Sequence, residues 1–233
     1  MKENHIPLDQ ALKIISKDRE RTNIMRKYEQ KAIAYLVQCV PSFINSDMLT
    51  GIGLAGNLIL GLSFILGAFY SPYFLLLGIF GSILNWYGDS LDGRLAYYRK
   101  KARKWYGFCL DMTTDWIGIT AIGVGFIIYL GSDWALIGYG FIVMYALEMI
   151  ITLLRYKITN KYSIDSGLLG PTEVRVVICL VLVLEVLFSG SFLYFAIIST
   201  SILLFSNIRD IVSLLKLADL RDKQENEDTN KSI

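Results

Sequence analysis

The feature that most constrains this chain is its long stretches without a charged side chain. Asp, Glu, Lys and Arg are absent from residues 48–88 and again from residues 116–132, and only Glu185 interrupts residues 176–208. About 20 consecutive apolar residues are enough for a helix to span the hydrocarbon core of a bilayer. These stretches therefore exclude a water-soluble globular domain and a disordered chain, and they predict an all-α integral membrane protein.

Turns divide these stretches into six predicted transmembrane helices. The breaks fall at residues 70–72, 131–133 and 189–191, and polar segments separate the remaining helices. The fifth helix is expected to begin at Pro171, because proline suits the first turn of a helix. The other five are predicted to cover about residues 49–69, 73–88, 105–130, 134–154 and 192–208.

Basic side chains are confined to alternate connections between the predicted helices. All 23 Lys and Arg residues lie within residues 1–48, 94–104, 155–175 and 209–233, and the three opposite turns hold none. Because Lys and Arg accumulate on the cytoplasmic side of membrane proteins, both termini and the two basic loops are predicted to face the cytoplasm. This distribution agrees with six spans.

Three segments follow from this organisation. Residues 1–40 form a charged N-terminal cytoplasmic segment, residues 41–218 a six-helix transmembrane domain, and residues 219–233 a polar cytoplasmic tail that is expected to fray. In the first segment, Leu8, Leu12, Ile15 and Ile24 recur at loose helical spacing among charged residues. That spacing predicts an N-terminal amphipathic juxtamembrane helix on the membrane surface, or a solvated helix that packs on the same protein.

Several kinds of site are disfavoured by composition. A net charge of +2 provides no basis for a nucleic acid partner. The three cysteines, Cys39, Cys109 and Cys179, are odd in number and widely spaced, so neither a zinc site nor a disulfide framework is indicated. His5 is the only histidine, which argues against a Ser-His-Asp triad and a histidine-based metal site.

Four aspartates stand where the second predicted helix ends and the third begins. Asp89 and Asp92 are three residues apart and Asp111 and Asp115 are four apart, so each pair shares one helix face. Both helices reach the same membrane surface, and the two pairs can therefore converge. Because converging carboxylates repel one another, they favour a hard divalent cation such as Mg²⁺ or Mn²⁺, which takes oxygen ligands and also binds phosphates.

The same aspartates carry a resemblance to a known family. The chain reads Asp89-x2-Asp92-Gly93-x2-Ala96-Tyr97, then nine residues, then Gly107-x3-Asp111-x3-Asp115. This resembles the signature of the CDP-alcohol phosphotransferases, which is Asp-x2-Asp-Gly-x2-Ala-Arg, seven to nine residues, and Gly-x3-Asp-x3-Asp. Tyr97 stands where the family has arginine, and Arg94 and Arg99 are candidates to supply the missing charge.

The resemblance implies a transferase of phospholipid biosynthesis. It implies transfer of a substituted phosphoryl group from a CDP-linked lipid, of the CDP-diacylglycerol type, to an alcohol acceptor with release of CMP, by a protein that is commonly a homodimer. By the same resemblance Asp89, Asp92 and Asp111 hold divalent metal, and Asp115 is the general base and a further metal contact. Residues that shape the nucleotide pocket would be Asp92, Gly93, Ala96 and Gly107.

The acceptor alcohol stays open at this point. Arg155 and Arg175 flank the second basic loop and Arg209 begins the last segment. These arginines could clamp a phosphorylated acceptor such as inositol phosphate or glycerol phosphate, or they could be ordinary flanking charges on the cytoplasmic side. An unphosphorylated acceptor such as serine, ethanolamine or choline is the alternative.

Two further classes compete with a transferase. A divalent-cation transporter could use the four aspartates as a permeation site, but they lie near one membrane surface and no pair of broken helices occurs in corresponding halves. A catalytically idle scaffold is motivated by Tyr97 alone. Glu148 and Glu185 lie within predicted spans and require polar partners. Glu185 is expected near the middle of the membrane, in a structural role or a dimer contact, because it lies about 15 Å along a helix from Arg175.

Overall fold

The structure, a computed structural model, describes residues 6–7, 10–12, 26–159 and 170–231. Within these residues the fold is all α-helical, as predicted, and no strand occurs. The helices delimited there are α1 (Arg26–Cys39), α2 (Ser46–Phe69), α3 (Leu75–Tyr98), α4 (Lys104–Leu130), α5 (Ala135–Thr159), α6 (Pro171–Leu187) and α7 (Ser191–Lys231). Two short 3₁₀ turns, Pro72–Phe74 and Ser132–Trp134, precede α3 and α5.

Five of the helical segments are long and apolar enough to cross a membrane, which makes the chain an integral membrane protein. They are Ser46–Phe69, Pro72–Tyr98, Lys104–Leu130, Ser132–Thr159 and Ser191–Glu227. The remaining predicted span, the fifth along the chain, corresponds to α6, which has 17 residues. At 1.5 Å per residue α6 is about 26 Å long, slightly less than the roughly 30 Å of a typical hydrocarbon core.

Glycines bring α2 and α3 into close contact. A Cβ placed at Gly56 would clash with the backbone of Gly81 and Asn85, and a Cβ at Gly88 would clash with the backbone of Gly53. Glycine has no Cβ, so the two backbones can touch along this seam. The contact holds the end of α3 that carries the aspartates directly against the first turns of α2.

The helix α3 ends at Tyr98, well beyond the predicted end at residue 88, so Asp89 and Asp92 lie inside a helix. The residues after Gly88 are more polar than the rest of the helix, and a contact with α1 stabilises them. Leu91 and Leu95 are fully buried in a cluster with residues of α1. The Arg99 side chain donates hydrogen bonds to the Val40, Pro41 and Ile44 carbonyls just after α1.

The helix α1 packs on its own chain. Its buried face includes Ile33, Ala34 and Val37, and Tyr28 and Tyr35 lie exposed on the other side. The predicted apolar positions Leu8, Ile15 and Ile24 lie outside the described residues.

The last helix also departs from the prediction. The sequence predicts a frayed polar tail after Asp219, but α7 continues as one helix to Lys231. Arg221 explains part of this, because it donates hydrogen bonds of 2.8 Å to the Lys157 and Ile158 carbonyls at the end of α5. Arg221 also pairs with Glu225 at 2.7 Å, a spacing that supports a helix.

Glu185 lies in the last turn of α6. Its rise of about 15 Å from Arg175 reaches the last turn of α6, because this helix is so short. The Glu185 carboxylate is 3% exposed. It accepts hydrogen bonds from the Tyr129 hydroxyl (2.8 Å), the Gly190 and Phe192 amides (3.0 and 2.6 Å) and the Ser191 hydroxyl (3.1 Å). These bonds join α4 and α6 to the start of α7.

Candidate active site

Three of the four predicted aspartates meet between α3 and α4. Asp89, Asp111 and Asp115 each offer a carboxylate oxygen, and these oxygens all lie within 4.8 Å of one another. Asp89 comes from the last turns of α3, and Asp111 and Asp115 come from one face of the first half of α4. The glycine seam between α2 and α3 fixes one side of this cluster, because Gly88 precedes Asp89 directly.

Asp92 lies beside the cluster and is turned toward α2. Its carboxylate accepts hydrogen bonds from the Thr50 hydroxyl (2.8 Å) and the Gly93 amide, and its carbonyl accepts one from Ser46 Oγ (2.8 Å). All four aspartates nevertheless line one small pocket. The residues that line it are Thr50, Gly53, Leu54, Asn57, Asn85, Asp89, Asp92, Asp111, Thr114 and Asp115.

The helix α6 contributes Arg175 to this site. Its Nη2 atom donates to Asp89 Oδ2 at 2.5 Å and its Nε atom donates to Asn85 Oδ1 at 2.8 Å. Asn85 Nδ2 in turn donates to the Gly53 carbonyl at 3.1 Å. The planar guanidinium group therefore makes two different hydrogen bonds in fixed directions, and this network ties α6 to α3 and α2 at the carboxylate cluster.

The other two predicted arginines are placed differently. Arg155 and Arg209 both approach Asp210, each at 3.6 Å. Glu148 interacts electrostatically with the same three residues. Its Oε2 atom is buried and has no hydrogen-bond partner among the described residues. The structure thus brings Arg155 and Arg209 together between α5 and α7, whereas Arg175 lies on Asp89.

The predicted nucleotide residues differ in their surroundings. Gly93 uses its amide to hold Asp92, and Ala96 is half-buried one turn further along α3. Gly107 is exposed at the start of α4, and a Cβ there would meet no atom within 4 Å. Open space therefore exists beside the α4 backbone on the approach to Asp111.

Sequence reasoning missed several polar residues of the site, among them Asn85, Thr50 and Tyr145. Asn85 precedes Asp89 by one helical turn, so its position on the aspartate face was readable from the spacing. Thr50 is far from Asp92 in sequence, and no local pattern connects the two. Tyr145 on α5 interacts electrostatically with Asp115 and Asp89, and it looks like one of many aromatic residues in an apolar helix.

The donor set of this cluster fits a divalent cation. Carboxylate oxygens are the hard ligands that Mg²⁺ and Mn²⁺ prefer, and three of them meet within 4.8 Å. Arg175 neutralises part of the negative charge at Asp89. The acidic cluster could therefore hold a metal ion, with Asp89, Asp111 and Asp115 as its first candidates.

Comparison with known proteins adds one finding to this geometry. The family model described as CDP-alcohol phosphatidyltransferase matches residues 44–205, well over half of the chain. The matched segment starts just before α2 and ends within α7, so it contains all four aspartates and Arg175. No curated protein matches the chain.

Proposed function

Because the chain belongs to the CDP-alcohol phosphatidyltransferase family, we propose that it transfers a phosphatidyl-type group from CDP-diacylglycerol or a similar CDP-linked lipid to an alcohol and releases CMP. Membership of the family supports a role in phospholipid biosynthesis. The single observation that carries the proposal is the meeting of Asp89, Asp111 and Asp115 within 4.8 Å.

We assign the divalent metal, Mg²⁺ or Mn²⁺, to Asp89, Asp92, Asp111 and Asp115. A divalent ion held there supplies charge neutralisation for the pyrophosphate and for the departing CMP. Thr50 and the Gly93 amide orient Asp92, and Arg175 orients Asp89, so the two α3 carboxylates are held before substrate arrives.

Asp115 is the general base in this proposal. A carboxylate beside the attacking hydroxyl can take its proton as the new phosphoester bond forms. Asp115 lies further from the start of α4 than Asp111 does, and it still lines the pocket. This position suits a general base. Gly93, Ala96 and Gly107, together with Asp92, shape the nucleotide pocket, and the open space beside Gly107 supports that assignment.

For the acceptor we propose a phosphorylated alcohol, such as inositol phosphate or glycerol phosphate. Arg175 lies at the carboxylate cluster, and Arg155 and Arg209 lie together beside Asp210. Guanidinium groups bind phosphate dianions through paired hydrogen bonds. An unphosphorylated acceptor such as serine, ethanolamine or choline is the alternative, and it would not need these arginines.

An acceptor panel tests this function. Purified protein is mixed with CDP-diacylglycerol, Mg²⁺ and each acceptor in turn, and CMP release is measured. The proposal expects release with one acceptor class, and a phosphorylated acceptor is expected to be the better substrate. If none of the acceptors supports CMP release and vesicles that contain the protein show cation flux, a transporter would be supported instead.

Substitution of Arg175 by lysine separates the two acceptor classes. Lysine keeps the charge but lacks the planar pair of donors, so Arg175→Lys should raise the acceptor KM more than the CDP-lipid KM. Loss of one charged hydrogen bond, about 1.5–3 kcal/mol, corresponds to about ten- to hundredfold in KM. Arg221→Lys is the matched control, because Arg221 bonds the end of α5 outside the site. An unchanged acceptor KM would argue for an unphosphorylated acceptor.

We further propose six spans, with both termini and the site on the cytoplasmic side, and a homodimer. The helix α6 supports a count of six spans, because Arg175 near its start pairs with Asp89 and Glu185 in its last turn contacts Tyr129 far along α4. The confinement of all basic residues to alternate connections supports the orientation. Labelling of single cysteines introduced at Lys101 and Asp133 should occur from opposite sides of the membrane, and chemical cross-linking in membranes tests the dimer.

A further inference from the structure

A buried hydrogen bond connects α1 to the first turn of α6. Thr172 Oγ1 donates to Glu29 Oε1 at 2.8 Å. Glu29 is 5% exposed and Thr172 is 9% exposed. Because this bond is buried, its loss costs more than the loss of an exposed contact would. The first turn of α6 is therefore fixed to a helix that lies far away in the sequence.

The helix α1 is itself fixed to α3, which carries Asp89 and Asp92. Ile33 and Val37 of α1 belong to the same buried cluster as Leu91 and Leu95 of α3. Arg99 then ties the end of α3 to the carbonyls that follow α1. Thus α1 contacts both helices whose side chains meet at the Arg175–Asp89 ion pair.

Thr172 lies one helical turn before Arg175. The start of α6 closes on itself, since the Gly170 amide donates to Glu173 Oε2 at 3.0 Å. That bond holds the turn together but does not attach it to another helix. The bond from Thr172 to Glu29 attaches this turn to α1. It therefore influences the position of the turn and the direction from which the Arg175 side chain reaches Asp89 and Asn85.

We propose that Glu29 is a positioning residue that acts through Thr172 on Arg175. It touches neither substrate nor metal. Its effect is to keep the first turn of α6 against α1, so that the guanidinium group of Arg175 stays on Asp89. The inference rests on the proposed function in two respects, that the carboxylate cluster holds a divalent ion and that Arg175 serves the acceptor.

A binding measurement tests this without catalysis. Mn²⁺ affinity of the purified full-length protein is measured for wild type, Thr172→Val, Thr172→Ser, Arg175→Ala and the Thr172→Val/Arg175→Ala double variant. Arg175 repels a cation at Asp89, so Arg175→Ala should bind Mn²⁺ more tightly. Thr172→Val should shift the Kd in the same direction by about three- to tenfold, because only part of the roughly ten- to hundredfold equivalent of a lost hydrogen bond to a charged group reaches Arg175. Thr172→Ser keeps the hydroxyl and should restore the wild-type value.

Tyr129→Phe is the matched control, because it removes another hydroxyl–glutamate bond of 2.8 Å at the opposite end of α6. It should lower the thermal unfolding midpoint and leave the Mn²⁺ Kd unchanged. In the Arg175→Ala background, Thr172→Val should cause no further shift. An unchanged Kd in Thr172→Val, or an equal shift in both backgrounds, would overturn the positioning role.

The same variants separate this inference from the proposed function. If wild type binds no Mn²⁺, the metal assignment fails, and the acceptor KM measured over the same cycle decides the positioning role. In that measurement Thr172→Val should raise the acceptor KM, as Arg175→Lys does. A change in kcat alone would contradict the positioning role. If Mn²⁺ affinity follows the expected pattern but the acceptor KM does not change, the positioning role stands and the acceptor assignment fails.

Discussion

Two carboxylate sites near opposite ends of α6 stabilise negative charge in different ways. At one end, Glu185 accepts four hydrogen bonds, from Tyr129, Gly190, Ser191 and Phe192. At the other, Asp89, Asp111 and Asp115 face one another within 4.8 Å, and Arg175 pairs with Asp89. A carboxylate surrounded by protein donors needs no further ligand, whereas carboxylates that face one another are stabilised by a cation.

We therefore propose that the Glu185 site is structural and that the aspartate cluster is the reactive site. The Glu185 site joins α4, α6 and α7, and its hydrogen bonds stabilise the helix bundle. The carboxylates of the aspartate cluster repel one another, and a divalent ion would relieve this repulsion. The cluster also lines a pocket. Substitutions at the two sites should therefore separate stability from turnover.

The largest effect is expected at the aspartate cluster. Asp115→Asn removes the proposed base while it keeps the size of the side chain, so turnover should fall by about 10²–10⁴-fold. The thermal unfolding midpoint should stay the same or rise, because repulsion among the carboxylates decreases. CDP-lipid binding should survive better than in Asp89→Asn. An equal loss of nucleotide binding in both variants would make Asp115 chiefly a metal ligand.

The opposite result is expected at Glu185. Glu185→Ala leaves the Gly190 and Phe192 amides and the Tyr129 hydroxyl without their acceptor, at about 1–3 kcal/mol for each unsatisfied group. The thermal unfolding midpoint in detergent should fall clearly, and turnover measured at low temperature should remain near the wild-type value. Loss of turnover without loss of stability would contradict the separation of the two sites.

A smaller effect, on both stability and turnover, is expected from a substitution at Gly56 of α2. Gly56→Ala forces a Cβ into the backbone of Asn85, whose side chain binds Arg175, so both the unfolding midpoint and turnover should fall. Overpacking of this kind costs about 1–3 kcal/mol. Gly51→Ala is the control on the same helix, because a Cβ there meets no atom within 4 Å. Equal stability of the two variants would show that the backbones do not touch.

Local spacing predicts much of this site. The intervals between Asp89 and Asp92 and between Asp111 and Asp115 are enough to place each pair on one helix face. The uncharged stretches likewise predict an all-helical membrane protein. These features can be predicted because they depend on neighbours within one or two helical turns.

Features that depend on distant contacts could not be predicted. The helix α3 continues to Tyr98 because α1 covers Leu91 and Leu95, and α7 continues past Asp219 because Arg221 bonds the end of α5. Arg175 was a candidate for the site, but its bonds to Asp89 and Asn85 join residues that are 86 and 90 positions apart. No periodicity within one helix contains such information.

The most direct test of the central claim is the metal dependence of CMP release. Purified protein is given CDP-diacylglycerol and its best acceptor, first in excess EDTA and then with Mg²⁺ or Mn²⁺ restored, and CMP is measured over time. Because Asp89, Asp111 and Asp115 supply negative charge to a pyrophosphate that is itself negative, turnover should stop in EDTA and return when either ion is added. Full turnover in excess EDTA would contradict the claim that these aspartates act through a divalent metal.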